Sequence, residues 1–284
     1  MLNYPNIRIE HKGMIYAIAN QKGGVGKTTT VVSLGAAFAE QGQRVLLIDL
    51  DPQAGLTISY GFDPDQLNKT VYQVFLEEEN LVTVTLPTVV PQVKLVPANL
   101  DLAGAEAELI GEIGWDRTLA DALAGVATSY DAILLDCPPT LGVLTTNALV
   151  AAHMVIVPLQ CEYLALRALK QLQKIIGKVR RKANPQLEVR ILRTLYDSRT
   201  THGREVFEEI AQAGGEQVLR TFIRRTVKFA DAAAGGEPIL QHATDSEAAH
   251  AYRKLAQELQ AYGAKTTSNP RTRRGRVLGT APLV

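Results

Sequence analysis

Ile15-Tyr16-Ala17-Ile18-Ala19-Asn20-Gln21-Lys22-Gly23-Gly24-Val25-Gly26-Lys27-Thr28-Thr29 is the stretch that decides the fold. Its first five residues are apolar and read as a strand covered on both faces. Three glycines follow within four positions, and a helical period begins at Thr28. Glycines let the backbone curl so that successive N–H groups point inward at an anion, and the new helix adds the positive end of its dipole. Lys27 is placed to reach phosphate oxygens as a point charge, and the Thr28 hydroxyl to ligate a cation. The strict pattern G-x-x-x-x-G-K-[ST] fails at its first position, where Gln21 stands. A plain glycine turn is the bland alternative, and the strand–loop–helix context argues against it.

Outward from that stretch, apolar runs at Val45–Ile48, Val93–Val96, Ala132–Leu135, Met154–Val157 and Val189–Leu192 repeat the signature of doubly covered strands. Helical periods lie between them at Thr28–Gln41, Leu102–Ile113, Arg117–Ala127, Gly142–Ala151 and Glu162–Lys182. This alternation predicts an α/β fold of the P-loop NTPase kind: a doubly wound, mostly parallel sheet with helices on both faces. Ligands of such sheets bind at the carboxyl ends of the strands. With no internal repeat and no Ser/Pro-rich linker, residues 14–262 are expected to form one domain. An N-terminal extension at 1–13 and a basic, flexible tail at 263–284 complete the expected organisation.

Of the 284 residues, 46% are apolar and 21% charged, which supports a full core and excludes a disordered or collagen-like chain. No apolar run approaches about 18 residues, so no spanning helix is expected. Met1–Pro5 does not begin like a secretory leader. Cys137 and Cys161 are too few for a disulfide scaffold, and a reducing cytosol is the expected setting. The net charge of +1 hides an asymmetry. Ala264–Val284 holds five basic residues and no acidic one, and Arg167–Arg204 holds eleven basic against two acidic. Contact with a polyanion is expected from those segments.

Lys22-Gly23-Gly24-Val25-Gly26-Lys27-Thr28, with a lysine ahead of the glycines, resembles the deviant phosphate loop of the ParA/MinD group of ATPases, which tolerates a non-glycine at the position of Gln21. Leu47-Ile48-Asp49-Leu50-Asp51-Pro52-Gln53 resembles the segment after that group's second strand, and residues 133–142 its Walker B segment. Val157-Pro158-Leu159-Gln160-Cys161-Glu162-Tyr163 resembles a further block. Together they span roughly residues 14–262 and resemble a chromosome- or plasmid-partition ATPase of the ParA/Soj type.

The resemblance implies ATP and Mg²⁺ as cofactors. ATP would be held by Lys22, Gly23, Gly24, Val25, Gly26, Lys27, Thr28 and Thr29. Thr28, Asp51 and Asp136 would surround the metal, with Asp49 supporting its shell. Lys22, Lys27 and Asp51 would be catalytic. Asp51 positions or activates the attacking water, and Lys22 crosses a two-fold interface to the partner's nucleotide in the manner of an arginine finger. ATP binding and homodimer formation would then be one linked event. The residues themselves leave open a turn-initiating Asp51-Pro52, a strand-end cap at Asp136 and a solvated Lys22. Asn68-Lys69-Thr70-Val71 lacks the acid of the guanine signature, which favours adenine. Phe222–Lys228 aligns with a family loop beside the base, and Arg224 and Thr226 stand where that loop carries proline and asparagine.

Arg167, Lys170, Lys174, Lys178 and Arg181 fall in a helical stripe about 80° wide, opposite Leu169, Leu172, Ile175, Ile176 and Val179. Surface helices normally interleave acids, so a purely basic stripe points to phosphates, with a solvated face as the alternative. Arg199, Arg204, Arg225 and Lys228 add to the candidate DNA contacts. By resemblance the ATP dimer binds double-stranded DNA without sequence preference and is released by slow hydrolysis, accelerated by a ParB-type DNA-bound partner. A cytoplasmic, nucleoid-associated protein that segregates DNA is expected. The alternative is a MinD-like membrane-positioning ATPase, for which Pro270, Pro282 and the glycines make a poor amphipathic helix.

Overall fold

The structure, a computed structural model, describes residues 13–162 and 165–268. Strand β1 (Met14–Ile18) leads into helix α1 (Lys27–Glu40), and β2 spans Val45–Asp49. Short elements follow: α2 (Gly55–Ser59), α3 (Val71–Leu76), α4 (Leu81–Val84) and β3 (Leu86–Pro87). Next come β4 (Val93–Val96), α5 (Leu102–Leu109), α6 (Thr118–Ala124) and β5 (Ala132–Asp136). The second half runs through α7 (Val143–Ala151), β6 (Met154–Gln160), α8 (Ala165–Lys182) and β7 (Glu188–Tyr196). It finishes with α9 (Thr201–Gly214), β8 (Val218–Arg224), α10 (Lys228–Ala234), α11 (Ile239–His242) and α12 (Glu247–Ser268).

Eight strands form one sheet in the order β3-β4-β2-β5-β1-β6-β7-β8. Every pairing is parallel except that of β3 with β4. The chain winds first to the β2 side of β1 and later to the β6 side. A crevice therefore opens at the carboxyl ends of the central strands. Successive residues of β1 serve opposite layers. Tyr16 and Ile18 pack with α1 and α12 residues such as Leu34, Phe38, Tyr252 and Leu255. Ile15 and Ala17 pack with α7 and α8 residues such as Leu144, Leu149, Leu172 and Ile176. Burial on both faces is why β2, β5 and β6 read as unbroken apolar runs.

Helix α1 buries ten of its 14 residues, so the helix that follows the glycine loop is a core element and not a surface one. Gly35 lets it lie close on β2, because a Cβ there would come within 2.8 Å of Leu47 Cδ2. The loop's exit is thereby fixed to the sheet.

The expected doubly wound sheet is present, with two strands the pattern did not reveal. β3 is only two residues long. β8 is an edge strand whose positions alternate irregularly between buried and exposed, so it carries no apolar run. Phe222–Arg224, expected in a loop, ends this strand. Helix α12 passes Tyr262 and continues to Ser268, so the boundary expected at 262 falls inside an element. A lone Gly263 costs about 1 kcal/mol in a helix, too little to stop one anchored by Tyr252, Leu255, Ala256 and Leu259. Residues 269–284 of the expected tail and 1–12 of the expected extension lie outside the described residues.

Candidate nucleotide site

The glycine loop is shaped for a ligand. Gly24 and Gly26 have φ of 70° and 88°, a left-handed conformation that glycine enters without steric cost. A Cβ on Gly23, Gly24 or Gly26 would meet nothing within 4 Å, so these glycines serve backbone curl and open space instead of packing. The loop is pinned from two strands. Asn20 donates its amide to the Pro158 carbonyl at 2.7 Å and accepts the Lys22 N–H at 3.0 Å. The Thr194 hydroxyl on β7 donates to the Val25 carbonyl at 2.8 Å. Thr29 is half-buried in the first turn of α1.

Lys27 is buried, and that burial pulls its ammonium pKa down against the opposing pull of Asp136. Its Nζ donates to the Lys22 carbonyl at 3.3 Å. A half-desolvated cation above an open loop is a ready partner for a polyanion. Beside it the Thr28 hydroxyl donates to Asp136 Oδ2 at 2.7 Å, while Oδ1 of the same carboxylate is buried without a hydrogen-bond partner. Burial, and then Asp49 on the neighbouring strand, push the Asp136 carboxyl well above the usual range. The register explains this, since Asp49 and Asp136 are paired residues of β2 and β5. An unpartnered acceptor beside a threonine hydroxyl fits a hydrated Mg²⁺, which commonly takes one or two protein carboxylates and the rest from phosphate and water. Among the described residues no three acidic, histidine or cysteine side chains converge as a metal cage, so those other ligands are required.

The two aspartates after β2 divide their work. Asp49 is fully buried, and its carboxylate is turned to the α2 side. Oδ1 accepts the Asp51 N–H at 3.1 Å, and Oδ2 accepts the Thr57 N–H at 2.9 Å and the Thr57 hydroxyl at 2.8 Å. Asp49 thereby supports the loop that carries Asp51. Burial raises the Asp49 carboxyl to about 6, moderated by those hydrogen bonds. Asp51 is half-buried, and its Oδ1 accepts the Gln53 N–H at 3.0 Å, so the turn-initiating alternative is realised. No hydrogen bond joins it to Thr28 or Asp136, although its charge is felt by both Lys27 and Asp136. Ala54 closes the turn at φ 54°, a left-handed alanine that concentrates backbone strain at this loop. A Cβ on Gly55 would stand 3.6 Å from the Thr28 hydroxyl, so the start of α2 packs beside Thr28.

Lys22 is half-buried and is held within its own chain, 2.5 Å from Glu162 Oε2 and 3.2 Å from Gln160 Oε1. Arg224 ends β8 and Thr226 follows it, both with their side chains engaged by protein. The Arg224 guanidinium donates to Glu247 at 3.3 Å, and the Thr226 hydroxyl accepts the Lys228 N–H at 3.3 Å. Of the DNA candidates, Arg167, Lys170, Lys174, Lys178 and Arg181 are all exposed along α8, and none has an ion pair among the described residues. The other four do not join that stripe. Arg199 is tied to Asp197 by two hydrogen bonds, at 2.9 and 2.7 Å, which hold the Asp197 carboxyl far below its usual range. Arg204 is exposed on α9 among Glu205, Glu208 and Glu209. Arg225 stands 3.9 Å from Glu162 at the nucleotide edge. Lys228 opens α10, which packs into the opposite layer.

Sequence reasoning assigned no role to Asn20, Thr57, Thr194, Gln160 or Glu162. Gln160 and Glu162 stand in a quoted block, and Asn20 stands in the loop stretch and caps the Lys22 N–H two residues on; Thr57 and Thr194 act on partners set by the fold.

A family model described as an AAA domain matches residues 13–189. The sporulation initiation inhibitor protein Soj of Bacillus subtilis is 41% identical over 252 residues, 88% of this chain and 100% of that one. The chromosome partitioning protein ParA of Myxococcus xanthus is 40% identical over 262 residues, 92% of each chain. A crystal structure named cobyrinic acid a,c-diamide synthase, from Mycobacterium smegmatis with bound ATP analog and magnesium, matches with a TM-score of 0.80 and 45% identity. It covers 89% of this chain and 97% of that one.

Proposed function

The chain belongs to the ParA/Soj family of partition ATPases, and from that premise we propose that it is an ATP-driven, DNA-binding switch that segregates chromosome or plasmid DNA. The observation that carries the reading is the Thr28–Asp136 pair, with its unpartnered buried oxygen, set under an open glycine loop. ATP binds with its phosphates along the N–H groups of residues 23–29 and the ammonium of Lys27. Mg²⁺, when bound beside Thr28 and Asp136, supplies charge neutralisation on the phosphates. Asp51, poised on the strained turn, orients the attacking water and exchanges its Gln53 contact to do so. Phosphoryl transfer asks for positioning and charge, which these residues provide without covalent chemistry.

Lys22 is the residue by which a second protomer senses the triphosphate, so ATP becomes part of a homodimer interface. The dimer presents the α8 stripe to DNA phosphates, which gives sequence-independent affinity. Hydrolysis, accelerated by a ParB-type partner, returns separate protomers to the cytoplasm and leaves bound ones on the nucleoid. The Mycobacterium smegmatis neighbour is named for amide synthesis. Both cysteines here are buried, with their thiols pushed up by that burial, which makes them poor nucleophiles for such chemistry. Phosphate release and DNA binding, each measured with ATP, with ADP and without nucleotide, test the proposal. Mg²⁺-dependent turnover and DNA binding confined to the ATP state are expected, and DNA binding indifferent to nucleotide would contradict it.

A further inference from the structure

Glu162 has no part in the reading above, yet it is the residue that holds Lys22. The Lys22 ammonium is bound by Glu162 Oε2 and Gln160 Oε1 of its own chain, at 2.5 and 3.2 Å. Gln160 ends β6, is 8% exposed, and donates its own amide to Glu162 Oε1. Arg225 stands 3.9 Å from that same oxygen. Lys22 and Glu162 are 34% and 46% exposed, so this is a surface-type contact that solvent can reach and exchange. An ammonium folded back onto the end of β6 is not free to touch a phosphate in a second protomer.

We propose that Glu162 is a positioning residue that parks Lys22 in the lone protomer and must release it before two protomers close on nucleotide. The inference rests on the reading that Lys22 crosses the interface. Release does not strand the carboxylate, because Gln160 and Arg225 remain beside it. The parking contact is therefore a bias on dimerisation, not a block. A partly exposed pair shifts an equilibrium by up to about fivefold, and a dimer opens two of them, which allows up to about 25-fold. The device keeps protomers apart until triphosphate is abundant.

Sedimentation velocity of the full chain with Mg²⁺ and the β,γ-imido analogue of ATP tests this with Glu162→Gln and Lys22→Ala. The Glu162→Gln variant should dimerise about three- to 25-fold more tightly than the parent, and Lys22→Ala should stay monomeric. Dimers in Lys22→Ala would overturn the underlying reading. Equal or weaker dimerisation of Glu162→Gln, beside a monomeric Lys22→Ala, would overturn the parking role alone. Amine labelling without nucleotide gives a direct readout. Lys22 should label faster in Glu162→Gln while Lys27 labels at the parent rate, and an unchanged Lys22 rate counts against the inference. Should the glutamine variant fail to fold, Glu162→Asp, one methylene shorter, should move both readouts the same way by less.

Discussion

Asp51 holds the Gln53 N–H with the carboxylate that the proposed function assigns to water, so its turn-forming contact and its proposed catalytic duty compete. Replacing it separates them. Asp51→Ala is expected to keep triphosphate-dependent dimers and lose turnover by about 100-fold or more, read as phosphate release beside dimer mass. Parent-like turnover would remove Asp51 from the chemistry. The buried Asp49–Asp136 pair makes a second residue-level prediction. Both carboxyls are raised, Asp49 to about 6, so folding takes up protons, and that stability is lost as pH rises through the folded values. A bound Mg²⁺ needs Asp136 ionised, so the gain in melting temperature on adding Mg·ADP should be larger at about pH 8 than at about pH 5.5. Equal gains would show that Asp136 does not meet the metal. Lys27, Thr28 and Asp136 were legible because a fixed spacing or a strand end places them. The turn of Asp49 toward Thr57 and the grip of Glu162 on Lys22, 140 positions away, were not, because the partner is chosen by the fold.

Helix α8 shows which element-level features a sequence carries. Leu169, Leu172, Ile176 and Val179 are buried and the basic stripe is exposed, as its period required. β8, α9 and α12 were not among the expected elements: β8 is an irregular edge strand with no apolar run, whereas α9 does carry a helical period, burying Gly203, Val206 and Ile210, and was legible in principle. Changing Lys170, Lys174 and Lys178 together to Ala should weaken binding to any DNA sequence alike. It should flatten the log–log salt dependence by up to about 2.7, at about 0.9 per lost phosphate contact. A salt titration checks this, and an unchanged slope would move the DNA surface elsewhere. Helix α1 offers a stability counterpart. Gly35→Val would drive a side chain into Leu47, costing about 1–3 kcal/mol, visible as a melting point lower by several degrees.

Across the whole molecule, the carboxyl ends of the central strands gather the glycine loop, Asp51, Asp136 and the end of β6, so the proposed nucleotide and metal sites and Lys22 share a single rim. The basic stripe lies on a helix that leaves that same rim and covers one face of the sheet. In the proposed function, a change at the phosphates has a short path to the candidate DNA surface once two protomers close together. Light scattering on the purified chain, with Mg²⁺ and a non-cleavable ATP analogue compared with Mg·ADP, measures that closure directly. The account predicts twice the 30.8 kDa chain mass with the triphosphate and a single chain with ADP. A single-chain mass at saturating triphosphate would contradict it.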